Sequence, residues 1–104
     1  MNKTDLSKAF EQGAKIKLVW QGCFGGGRAD IDYPIADPTM NATLKSLIEK
    51  VAVMPRPRRS GFGMSYNLSV NDEYVYNCQD LDAPDEFKAL IRAIEMASEM
   101  SGPQ

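Results

Sequence analysis

Two cysteines, Cys23 and Cys78, are the only thiols of the chain, and no histidine accompanies them. The missing imidazole removes the commonest general base, the commonest metal ligand and every histidine-containing triad. A nucleophilic Cys23 would need another activating base, and no spacing supplies one. Cys78 falls on the apolar side of an alternating segment and reads as core. The run Gly22-Cys23-Phe24-Gly25-Gly26-Gly27-Arg28-Ala29 places two glycines around four residues, the outline of a phosphate loop. Such a loop needs Lys followed by Ser or Thr, and a helix whose N-terminus faces the anion; here Arg28-Ala29 leads into a strand pattern. The run is read instead as a hairpin turn, with Phe24 among glycines shaped as a docking tip.

Asp80, Asp82, Asp85 and Glu86 form an acidic cluster without the glycine and distal glutamate of a calcium loop, so helix capping accounts for them. Arg56, Arg58 and Arg59 lie in a proline-containing stretch that reads either as a solvated linker or as contacts to an acidic partner or nucleic acid. Neither an enzyme nor a cofactor or metal is expected. The candidate partner-binding residues are Cys23, Phe24, Gly25, Gly26, Arg28, Arg56, Arg58 and Arg59.

These residues need a scaffold. With 104 residues, 43% hydrophobic and 25% charged, the chain fits one self-folding domain. No stretch approaches the roughly 20 apolar residues of a bilayer span, and charges occupy the amino-terminal segment where a signal peptide would be apolar. The expectation is a cytoplasmic protein with two reduced thiols; a secreted, disulfide-built protein is the alternative. Residues 1–60 carry ten Lys/Arg against six Asp/Glu, and residues 61–104 two against eight. Such asymmetry makes basic and acidic surfaces if the halves stay apart, and intermingled charge if they fold together.

The elements follow from periodicity. Residues 1–14 hold a short helix, with Leu6 and Phe10 on one face and Gly13 as its stop. Residues 15–54 form a ββα unit, in which Ile16, Leu18 and Trp20 alternate, Ile31, Tyr33 and Ile35 alternate after the glycines, and Asp37-Pro38 opens a helix with Leu44, Leu47, Ile48 and Val51 inward. Residues 55–61 are a Pro/Arg linker. Residues 62–100 form a second ββα unit, with Phe62, Met64, Tyr66, Leu68 and Val70 facing inward, a tight turn at Asn71-Asp72, then Tyr74, Tyr76 and Cys78, and a helix on Phe87, Leu90, Ile91 and Ile94. An offset of 43 lays Tyr33 on Tyr76, Asp37 on Asp80, Lys45 on Lys88, Leu47 on Leu90 and Ile48 on Ile91, which is either a duplication or the shared pattern of any ββα unit. The predicted fold is α+β: an antiparallel four-stranded sheet from two ββα units and a short N-terminal helix, with helices packed on one face.

The segment Ile16-Lys17-Leu18-Val19-Trp20-Gln21-Gly22-Cys23-Phe24-Gly25-Gly26 resembles the emfourin family of proteinaceous inhibitors of thermolysin-like metalloproteases, in which a strand runs into a Gly-Gly-Phe-small-Gly turn. The likeness extends through the leucine-rich helix, the strand Tyr66-Asn67-Leu68-Ser69-Val70 and the closing helix, spanning roughly residues 15–97. Cys23 stands where the family usually has glycine, and the leading helix is additional. The resemblance implies an inhibitor that blocks a metalloprotease cleft with exposed loops, and it supports Gly22, Phe24 and Gly26 as turn positions. The expected function is thus a small protein-binding inhibitor of a metalloprotease. The alternative is an anti-defence protein of a phage or mobile element, of the anti-CRISPR type, blocking a nucleic-acid-handling complex. The partner is another protein, a protease or a defence-complex subunit. Neither a membrane nor direct nucleic-acid binding is expected, and the oligomeric state is left open.

Overall fold

A computed structural model describes residues 3–22, 25–55, 63–79 and 82–101. Its elements run α1 (Lys3–Gln12), β1 (Ala14–Gly22), β2 (Gly25–Tyr33), α2 (Pro38–Ala52), β3 (Ser65–Val70), β4 (Glu73–Gln79) and α3 (Asp85–Ser101). The strands form one antiparallel sheet in the order β2-β1-β3-β4. Each hairpin thus contributes one central strand and one edge, and the polypeptide is the α+β fold that the alternation predicts.

The inner sheet face is apolar because the side-chain period is two. Ile16, Leu18, Ala29, Ile31, Leu68, Val70, Tyr76 and Cys78 are buried there. Above them lie Leu44, Ile48 and Val51 of α2 and Phe87, Leu90, Ile94 and Ala97 of α3. Phe87 packs between Tyr76, at 5.3 Å, and Tyr66, at 6.1 Å between ring centroids, so its ring locks the start of α3 to both strands of the second hairpin. Leu6 and Phe10 bury the short α1, with Phe10 edge-on to Tyr33 at 4.9 Å. Gly13, at φ 97°, then ends that helix in a conformation that glycine adopts without strain. No charged side chain is buried among the described residues.

Local chemistry fixes the element ends. Asp37 accepts hydrogen bonds from the Thr39 and Met40 N–H groups at 2.9 and 3.3 Å, capping α2 with Pro38 in its first turn. Asn41 clamps the preceding corner twice: its Nδ2 donates to the Ile35 carbonyl and its Oδ1 accepts from the Ile35 N–H, both at 2.8 Å. Asn71 and Asp72 have φ values of 52° and 68°, so the turn joining β3 to β4 is of the primed kind that suits a twisted hairpin.

Three expectations need correction. Tyr74 is 66% exposed, whereas Val75 is buried. The register passes from Leu68↔Tyr76 to Ser69↔Tyr74, leaving Val75 as an extra residue whose bulge turns Tyr74 outward. Ile35 lies beyond the end of β2 and only packs against the core edge. The offset of 43 holds for the order of elements and not for their faces: Ile48 and Leu90 are fully buried, while Leu47 and Ile91 are only half-buried. Phe62, the 56–61 part of the linker and Asp80 lie outside the described residues.

Candidate functional site at the hairpin end

The glycines expected to form a loose turn are mostly strand. The β1–β2 ladder runs without a break from Ala14↔Tyr33 to Gly22↔Gly25, so Gly25, Gly26 and Arg28 belong to β2 and only two residues join the strands. Sequence reading misses this because glycine weakens a strand that has nothing to cover it. Here Trp20 supplies the cover. A methyl group placed on Gly27, its cross-strand partner, would lie 2.8 Å from Trp20 Cζ2 and 3.0 Å from Nε1, so the indole rests on the bare backbone. An aromatic ring laid over a cross-strand glycine restores packing that the missing side chain gives up.

Gly22, Gly25, Gly26 and Gly27, which carry no side chains, leave an open groove of about 580 Å³, lined by residues 19–22 and 25–28. Trp20 is its half-buried aromatic wall, and Arg28 stands at its margin with a side chain 68% exposed. Arg28 Nε lies 3.1 Å from Asp30 Oδ2 two residues along the same face. Both partners are solvated, so the pair orients Arg28 and adds little to stability.

The pairing also determines which loops share this end. Gln21 pairs with Ser65 and Ser65 with Gln79, so the strand ends flanking segments 23–24, 56–62 and 80–81 leave the sheet on the same side. Met64, just before β3, would contact a methyl group on Gly22 at 3.5 Å. Cys23, Phe24, Arg56, Arg58 and Arg59 lie outside the described residues; segment 23–24 joins the strands that line the groove, whereas segment 56–62 starts at Pro55, whose carbonyl accepts from the Tyr76 hydroxyl of β4 at 3.3 Å, and returns at Gly63, next to Met64. Asp85 and Glu86 sit in the first turn of α3, where the helix dipole favours negative charge. Among the described residues, no three Cys, Asp or Glu side chains gather as a metal site, and no helix is long and apolar enough to cross a membrane.

Two features escaped sequence reading. One is the Trp20–Gly27 contact, whose signal was a tryptophan closing an alternating strand just before a glycine run. The other is the outer face of the first hairpin, where Lys15 pairs with Asp32 and Lys17 with Asp30 across the ladder, a relation visible only once the register is known. No family model, characterised protein or solved structure matches the chain.

Proposed function

We propose that this chain is a protein-binding inhibitor that blocks its partner by docking the glycine-rich end of its sheet against it. One observation carries the reading: an open groove walled by a half-buried Trp20 and floored by glycine backbone, at one end of the sheet. Tryptophan and arginine at the centre of a contact are the residue types that most often dominate interface energies, and bare glycine lets a partner's backbone approach closely. The sheet beneath is held by a continuous ladder and an apolar core, so docking requires little ordering of this surface. The chemistry of the site is that of contact, and the chain is read as a binding protein and not an enzyme.

The target class rests on the emfourin resemblance, which makes a thermolysin-like metalloprotease the partner to test. Titrating the protein against such a protease on a peptide substrate, with sedimentation of the mixture alongside, measures inhibition and complex formation together. Stoichiometric loss of peptidase activity with a co-sedimenting complex is the expected result. Full activity at every ratio, with no complex, rejects the protease as target. Recovery of a nucleoprotein complex by the immobilised protein then favours the anti-defence alternative.

A further inference from the structure

We propose that the β2 edge is a self-complementary interface, through which a second copy of this chain extends the sheet antiparallel across a twofold axis at Ala29. The inference goes beyond the docking reading and rests on the sheet edge and not on the groove.

The two edges of the sheet differ. β4 is interrupted by the bulge at Val75, a feature that blunts an edge against pairing. β2 is regular over nine residues. The orientation of its free groups follows from β1. Lys15 donates its N–H to Asn71 Oδ1 at 2.9 Å and its carbonyl accepts from the Asn71 N–H at 2.8 Å, so its backbone faces β3. Backbone direction alternates along a strand, so Ile16, Leu18 and Trp20 face β2 and bond Ile31, Ala29 and Gly27. Gly26, Arg28, Asp30 and Asp32 therefore aim their N–H and C=O groups outward. All four residues are exposed, and among the described residues no strand lies beyond them.

Charge chooses the occupant. Charged side chains along an edge deter strands that oppose them badly and admit one whose charges run in the reverse order. Read antiparallel about Ala29, β2 is such a strand for itself: Arg28 stands opposite Asp30 of the second copy, twice by symmetry, and Gly27 stands opposite Ile31. Moving the axis one residue either way puts Arg28 opposite Arg28, or Asp30 opposite Asp30, and like charges directly opposed are unfavourable. Isologous twofold contacts are also the commonest way identical chains associate. Because the strands run in opposite directions, the two hairpin ends point to opposite ends of the joint sheet.

The test is sedimentation equilibrium of the full chain over a concentration series, for wild type, Arg28→Asp, Asp30→Arg and an equimolar mixture of the two variants. Each variant alone sets two like-charged pairs across the axis, and its dimer dissociation constant should rise at least about tenfold. In the mixture every pair is again opposite, so a heterodimer near wild-type strength should return. Asp30→Pro adds a second route: its N–H points away from β1, so the ladder keeps its bonds while the edge loses a donor, and dimerisation should fail with the fold intact by circular dichroism. A wild-type chain that sediments as a monomer up to millimolar concentration overturns the proposal. So does a dimer that the single variants leave as strong as wild type, because its interface then lies elsewhere. Protease inhibition by a strictly monomeric chain would separate this failure from that of the docking reading.

Discussion

Replacing the glycines of the first hairpin one at a time with alanine distinguishes a packed ladder from a loose turn. At Gly26, the added methyl would meet the Trp20 carbonyl oxygen, with Gln21 Cα at 3.1 Å and the Trp20 carbonyl carbon at 3.3 Å. These are backbone atoms of the paired strand and cannot rotate aside, so the ladder itself must open. Overpacking that moves backbone costs about 1–3 kcal/mol, and Gly26→Ala belongs at the upper end. At Gly27 the methyl meets only the Trp20 indole, at 2.8–3.0 Å. The ring can swing outward, giving up part of its cover over the strand, for about 1 kcal/mol. At Gly22 the nearest atom is the Met64 terminal methyl carbon, at an ordinary 3.5 Å, and the change should lie within about 0.5 kcal/mol of neutral. At this chain length 1 kcal/mol moves the melting temperature by about 4 °C, so calorimetry should rank the losses Gly26→Ala, then Gly27→Ala, then Gly22→Ala. Trp20 fluorescence should change most for Gly27→Ala. Three equal, small losses would refute the reasoning, since a flexible turn accommodates a methyl anywhere along it.

The core makes a simpler forecast: Ile48→Ala and Leu90→Ala, both fully buried, should each lower stability by about 2–5 kcal/mol in denaturant titrations. Leu47→Ala should cost less, because Leu47 is only half-buried; equal losses at Leu47 and Ile48 would contradict the assigned helix face. Asn41→Ala removes both bonds to Ile35 and should cost about 1–3 kcal/mol, whereas Thr43→Ala, two residues along on the exposed side, removes only an exposed bond to the Thr39 carbonyl and should cost under about 1 kcal/mol on the same titration.

The parts of the fold legible in the sequence were those with strong local causes. Asp37-Pro38 specifies a helix start because a carboxylate cap and a preset φ act within one turn, and Asn71-Asp72 specifies a hairpin because few other residues tolerate positive φ at both positions. Alternation located β1 and β3 for the same reason. What stayed illegible depends on partners distant in sequence. Gly25–Gly27 resemble a turn until Trp20 is known to cover them, and Tyr74 resembles an inward residue until the bulge at Val75 shifts its phase. The placement of Lys17 opposite Asp30 requires the register itself. Of the candidate partner-binding residues, Gly25, Gly26 and Arg28, expected in a turn, belong to an edge strand.

The proposed docking through the hairpin end is decided by one variant, Phe24→Ala, measured for both affinity and melting temperature against the same thermolysin-like protease. Phe24 lies in the two-residue segment that joins paired Gly22 and Gly25. Truncating an anchoring aromatic commonly costs about 2 kcal/mol or more of binding, so the inhibition constant should rise at least about tenfold while the melting temperature stays within about 2 °C of wild type. A variant that melts markedly lower yet inhibits as strongly as wild type would contradict the account, because Phe24 would then serve the fold and not the partner.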